Sequence, residues 1–185
     1  MNKEIIVVGS APVFEQEIFD RNAEFRFVNL SFKQVKGIMP LNYELFVSKY
    51  LVNPSGNLSR KSKQILDDSK LNYTQIGYKI NSTCMIWIIR NIGLKYFVKI
   101  YNQSKNELYR ELKRWIKFNP SISTGFKIIL WSLNSALNDD QIICYGFSLD
   151  ELSNYSWFNE QCERGHVIQD KIVFDALLDE RVVFY

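Results

Sequence analysis

The sequence predicts a single α/β domain over residues 1–185, built on a mostly parallel sheet with helices on both faces. Three observations carry that expectation. The chain opens on Glu4-Ile5-Ile6-Val7-Val8, a largely β-branched run that halts at Gly9-Ser10-Ala11-Pro12. A continuous apolar run ending in a small-residue turn is the pattern of a strand buried on both faces, as parallel strands are. Strand-like and helix-like segments then alternate along the chain, which is the order a parallel sheet with crossover helices requires. No internal repeat or linker interrupts the 185 residues, a length that buries a sizeable core without disulfides or a structural metal.

Taken in order, residues 13–20 have the composition of one or two helical turns, and Phe25-Arg26-Phe27-Val28-Asn29 reads as a second strand. A third strand is expected over Leu45 to Val52, closed by Asn53-Pro54-Ser55-Gly56. Ser59 to Ser69 reads as a helix with Ser59 as its cap, and Tyr73 to Ile80 as a strand. Residues 81–103 are apolar and aromatic without a clean period, whereas Leu108, Leu112, Trp115 and Ile116 recur at helical spacing within Lys105 to Phe118. The polar turn Asn119 to Gly125 leads into a buried helix over Phe126 to Leu137. Gln141 to Tyr145 is the next strand, ending at Gly146-Phe147-Ser148, and Asp150 to Arg164 reads as a polar loop. A helix over Gln169 to Asp179 and a strand over Arg181 to Tyr185 complete the series.

Composition narrows the function classes. With 46% hydrophobic and 23% charged residues and only 8 Gly and 4 Pro, the chain is globular. The 13 Phe and 10 Tyr suit core packing and also the stacking of sugars or bases. A net charge of +3, with local clusters at Arg60 to Lys63 and Arg110 to Arg114, falls far short of a nucleic-acid footprint. It is compatible with phosphate ligands and with attraction to an anionic membrane surface. Three cysteines, Cys84, Cys144 and Cys162, stand at no metal-ligand spacing, and the N-terminal segment has no secretory pattern, so reduced thiols in the cytoplasm are expected. No apolar stretch approaches the length of a membrane span, and Arg90 ends the longest run.

In open parallel sheets, ligands bind beyond the carboxyl ends of the strands. Gly9-Ser10-Ala11-Pro12, Asn29 and Gly146-Phe147-Ser148 stand at such ends, and Ser123-Thr124-Gly125 stands before a helix whose N–H groups favour a phosphate. Each motif alone is weak, since a Ser or Thr before a helix is usually a plain cap. The chain lacks a G-x-x-x-x-G-K-[ST] loop and the repeated glycines of a dinucleotide turn. It also has no Asp-x-Asp pair to hold Mg²⁺ on a diphosphate, and one histidine with scattered cysteines makes no zinc site. A reaction without a metal is the natural inference. His166, the only histidine, lies in the polar segment before the last helix and suits proton transfer near neutral pH. A lone histidine is more often incidental than catalytic.

Together these segments resemble the sialyltransferases of glycosyltransferase families 29 and 42 and related transferases of acidic sugars. Ile5 to Pro12 is similar to the family's first strand and nucleotide turn, and Phe27-Val28-Asn29 to its second strand, whose terminal Asn contacts the donor. Ser121 to Gly125 with its helix, followed by Ile142 to Ser148, is similar to the unit that embraces the cytidine nucleotide. Gly165-His166 before a helix and a final strand is similar to the family's Gly-His. The likeness covers roughly the first thirty and the last sixty-five residues, as quoted from the sequence.

The resemblance implies a Rossmann-like sheet in the sialyltransferase-like variant of the GT-A fold. It further implies metal-independent transfer of sialic acid, Kdo or a similar sugar from a CMP donor to a glycan hydroxyl, with His166 as general base and no cofactor. Gly9, Ser10, Ala11, Pro12, Asn29, Ser123, Thr124, Gly125, Gly146, Phe147 and Ser148 would bind the nucleotide. Tyr155 is the residue nearest the positions where the family places its phosphate-binding tyrosines, which here hold Asp150 and Ser156. Such an enzyme would build a surface glycan from the cytoplasm, at the inner face of the membrane, and a short chain leaves room for self-association to complete its site. The alternatives are a non-catalytic nucleotide- or glycan-binding module of the same fold and an unrelated flavodoxin-like or interaction domain.

Overall fold

The computed structural model describes residues 3–48, 57–71, 74–76, 122–150, 152–154, 161–163, 166–177 and 181–185. Their strands are β1 (Glu4–Val8), β2 (Glu24–Val28), β3 (Tyr43–Ser48), β4 (Thr74–Ile76), β5 (Gln141–Tyr145), β6 (Leu152–Asn154), β7 (Gln161–Glu163) and β8 (Val182–Phe184). The helices are α1 (Asn57–Asp68), α2 (Thr124–Ser135) and α3 (Val167–Ala176), with short 3-10 helices at Gln16–Asp20 and Ser31–Gln34. Six strands form one sheet in the order β4-β3-β2-β1-β5-β8, and every neighbouring pair is parallel.

Alternation along each strand explains why both faces are apolar. Ile5, Val7, Val28, Phe46, Ile142 and Cys144 point to one face, where they pack on Phe126, Ile129 and Leu133 of α2 and on Val173 of α3. Ile6, Val8, Phe25, Phe27, Leu45, Val47, Ile143 and Tyr145 point to the other, under Ile18, Phe19 and Phe32 of the 3-10 helices and Leu66 of α1. Phe19, Phe25, Phe27 and Tyr43 form an aromatic ladder there, with successive ring centroids 6.0–6.3 Å apart. The connections after β1, β2 and β3 thus cover one face, and α2 and α3 cover the opposite face. Strand order reverses between β1 and β5, so a crevice is expected beyond the carboxyl ends of these two neighbours.

Several boundaries differ from the expectations. The helix expected from Phe126 begins at Thr124, because Ser123 is extended and its Oγ accepts the Phe126 N–H at 3.3 Å, an N-cap bond. Thr124 and Gly125 are therefore helical, not part of the preceding turn. The last helix begins at Val167 instead of Gln169, which makes His166 its N-cap residue. Within the segment read as a polar loop, β6 and β7 pair antiparallel with Ser153 opposite Cys162. Strands of three residues are too short for a period-two pattern to register. β3 starts at Tyr43, which pairs with Phe25, and the 3-10 helix at Ser31–Gln34 had no sequence signal. The unassigned stretch 81–103, the helix expected over Lys105 to Phe118, and Tyr155 lie outside the described residues.

The amino edge of the sheet is tied by charge. Arg26, 6% exposed under α2, donates to Ser132 Oγ at 2.8 Å, to Ser135 Oγ at 3.1 Å and to Glu24. Burial raises the Glu24 pKa, but the hydrogen bonds and charges of Lys3 and Arg26 outweigh it and hold the carboxyl below its ordinary value. Asp140 accepts the Leu137 N–H at 2.8 Å and the Lys3 N–H at 3.1 Å. These bonds, the Leu137 one foremost, also hold its pKa below the ordinary value. Both folded values are depressed, so the stability they contribute is present above the unfolded values of 4.5 and 3.8 and is lost as pH falls through the folded ones. Urea midpoints should stay level between about pH 7 and pH 5 and fall below about pH 4. Asp140→Asn should reduce the acid slope; an unchanged slope in that variant would remove Asp140 from this account.

Candidate functional site at the carboxyl edge

The turn after β1 is held by bonds from three directions. The Gly9 N–H donates to Tyr145 O at 2.7 Å and the Ala11 N–H to Gly146 O at 2.8 Å, so the turn leans on the end of β5. The Val13 N–H donates to Gln34 Oε1 at 2.6 Å, and Gln34 Nε2 donates to Gly9 O and Ala11 O, both at 3.2 Å. Ser31, fully buried, accepts the Val28 N–H and donates to Val8 O, joining the ends of β1 and β2. Gly9 is required because a Cβ there would lie 2.3 Å from Gly146 O.

Gly146 itself has φ +70, and the ring of the next residue, Phe147, lies beside both Gly9 and Gly125. A Cβ on Gly125 would sit 2.6 Å from that ring, and one on Gly9 would sit 3.1 Å from it. The first turn of α2 and the turn after β1 therefore meet at Phe147. The N–H groups of Thr124 and Gly125 have no hydrogen bond among the described residues. They belong to the positive end of a twelve-residue helix.

His166 joins this edge through a carboxylate that sequence reading missed. Asp170, fully buried one turn into α3, accepts the Ser123 N–H on Oδ1 at 2.8 Å. Its Oδ2 lies 3.9 Å from His166 Nε2, and the imidazole is 28% exposed. The ring makes no capping bond to its own helix. The two side chains are beyond hydrogen-bond distance, but a partly exposed imidazole beside a buried carboxylate brings together the residue types that proton transfer uses. The available signal for Asp170 was its spacing of four from His166, which on a helix places both on one face.

Asn29 follows β2 in the left-handed region at φ 56, which Asn tolerates better than most residues. Its N–H donates to Phe46 O at 2.7 Å and its Oδ1 accepts the Ser48 N–H at 2.9 Å, so that oxygen faces β3. Ser148 accepts the Asp150 N–H and donates to its carboxylate, both at 3.1 Å, closing the loop after β5. On the far side of Phe147 a cleft of about 400 Å³ opens, walled by Phe126, Phe147, Phe174, Phe184 and Tyr185, with Ser148 and Asp150 at its polar rim. Gly9, Ser10, Ala11, Gly125, Gly146, Phe147, Ser123 and His166 are thus gathered along one edge. Pro12 is exposed beside them.

No known protein family, curated protein or solved structure matches the chain. Its chemistry has to be judged from this edge. Among the described residues, no three His, Cys, Asp or Glu side chains gather as a metal-holding group, and no helix is long and apolar enough to cross a membrane. Cys144 is buried in the sheet and burial pushes its thiol pKa up, which keeps it an inert thiol.

Proposed function

We propose that this edge binds a cytidine monophosphate group and that the chain transfers an acidic sugar from a CMP donor to a glycan hydroxyl. The observation that carries the reading is Asp170, whose two oxygens face Ser123 at the α2 N-terminus and His166. A candidate proton acceptor and the α2 N-terminus, with its unbonded Thr124 and Gly125 N–H groups, are thereby linked through one carboxylate. The sheet order, reversing between β1 and β5, agrees with the Rossmann-like GT-A variant that the resemblance implies.

In this reading the Thr124 and Gly125 N–H groups, with Ser10, receive the charge that builds on the departing phosphate. The bond between the anomeric carbon and the phosphate oxygen breaks, leaving an oxocarbenium-like centre. The acceptor hydroxyl attacks that carbon as its proton passes to His166 Nδ1, the ring nitrogen not turned toward Asp170, and the Asp170 carboxylate beside Nε2 stabilises the imidazolium. CMP leaves with its electron pair. The aromatic walls of the neighbouring cleft offer stacking faces to a sugar or a base. No step requires a metal. The working location is the cytoplasmic face of a membrane bearing the acceptor, where a net charge of +3 favours contact with anionic lipid.

A thermal-shift titration with CMP and UMP side by side tests the reading. CMP should raise the melting temperature in a concentration-dependent way, with UMP weaker by about ten-fold or more. No shift with CMP would overturn it. CMP binding without turnover of any CMP-sugar would assign the chain to a non-catalytic binding module of the same fold instead.

A further inference from the structure

The backbone groups of the turn after β1 are divided unequally. The N–H groups of Gly9, Ala11 and Val13 are all bonded, Pro12 has none, and the carbonyls of Gly9 and Ala11 both accept from one side chain, Gln34. Among the described residues the Ser10 N–H has no hydrogen bond, and Ser10 is half-buried, not covered. Gln34 is 9% exposed and serves three backbone groups with its one amide. No other described side chain bonds to the Gly9–Val13 turn in more than one place; Gln16 Nε2 reaches only Val13 O, at 3.3 Å.

We infer that Gln34 is the positioning residue of this site: it draws two carbonyl oxygens inward and leaves Ser10 as the turn's outward donor. The inference rests on the reading of the edge as a nucleotide site. The physical reason is electrostatic. Two carbonyl oxygens turned toward a phosphate would repel it, whereas an N–H and a hydroxyl attract it. A single amide can hold this arrangement because it donates two hydrogens and accepts with its oxygen. Gln34 lies on the 3-10 helix at Ser31–Gln34, whose Ser31 already grips Val8 O, so its backbone is anchored to the same strand end.

The test uses the full chain with Gln34→Met, which keeps the shape and removes all three bonds, and Gln34→Glu, which keeps only the acceptor. Two measurements are made. Amide hydrogen exchange in the unliganded wild type should show Ala11 and Val13 slow and Ser10 fast. In Gln34→Met the Ala11 and Val13 amides should exchange about ten-fold faster or more, with Ile6 and Ile143 unchanged. CMP affinity should fall about ten-fold or more in both variants, with KM for a CMP-sugar rising and kcat within about three-fold. Asp140→Asn, at the opposite edge, should lower the melting temperature with CMP affinity unchanged, as a residue of purely structural effect would.

If the wild type does not bind CMP, the nucleotide reading falls, and the exchange data still decide whether Gln34 shapes the turn. A slow Ser10 amide, or unchanged exchange at Ala11 and Val13 in Gln34→Met, would overturn the inference. So would wild-type CMP affinity in that variant.

Discussion

His166→Ala is expected to reduce transfer from a CMP-sugar by about 10²–10⁴-fold, the usual contribution of a positioned general base. CMP affinity should stay within about two-fold of wild type, because the groups assigned to the nucleotide lie on the other side of Asp170. The geometry argues that the loss will be chemical and not structural. The imidazole is 28% exposed and makes no bond to the N-terminus it precedes, so truncation opens no buried cavity. Asp170 keeps its bond to the Ser123 N–H in the variant, which preserves the junction between α2 and α3. Burst and steady-state measurement of CMP release, beside calorimetric titration with CMP, separates the two effects. Full activity in His166→Ala would remove it from the reaction, and the site would have to be rebuilt around another proton acceptor.

The second large effect is expected at Gly146. Its φ of +70 excludes most side chains, and a Cβ there would lie 2.5 Å from Ala11 O and 3.0 Å from the Val13 side chain. The carbonyl cannot easily withdraw. Ala11 O already accepts from Gln34, and the Ala11 N–H is bonded to Gly146 O itself. Gly146→Ala adds left-handed strain of about 1–2 kcal/mol to an overpacking cost of about 1–3 kcal/mol. A destabilisation of roughly 2–5 kcal/mol is expected in urea unfolding, together with loss of CMP binding. Gly37→Ala is the matched control. Nothing lies within 4 Å of its added Cβ, so that variant should be neutral or gain up to about 1 kcal/mol. Equal stability of the two variants would mean that the contact between the turns after β1 and β5 is not what holds this edge.

The elements legible in the sequence are those whose pattern reports burial directly. Ile5 to Val8 and Ile142 to Tyr145 are continuous apolar runs, and they pair in register at the centre of the sheet. The helix expected over Phe126 to Leu137 is equally legible, although it runs Thr124–Ser135 and leaves Leu137 exposed. Its start differs because Gly125 is a poor helix former, and local propensity favours a turn. The Ser123 cap overrides that propensity, and the glycine lets the Phe147 ring approach, since an added Cβ would lie 2.6 Å from it. Asp170 is legible as an acidic residue in the first turn of a helix, four positions after His166, but an ordinary dipole effect explains it equally well. Gln34 had no signal at all, for a glutamine in a polar segment carries nothing that separates a solvated side chain from a threefold backbone anchor.

What the sequence by itself determined is the order of the six strands of the main sheet and of α1, α2 and α3, the parallel character of that sheet and the small-residue turns at its carboxyl edge. Those properties follow from residue type and spacing, which act over a few neighbours. Only the tertiary structure decided that Gly9, Gly125 and Gly146 converge around one phenylalanine, that Gln34 holds the first turn, and that Asp170 links Ser123 to His166. Each of these depends on segments brought together across the chain, by as many as 137 positions between Gly9 and Gly146. No local pattern encodes a distance between them; the packing of two apolar faces on one sheet does.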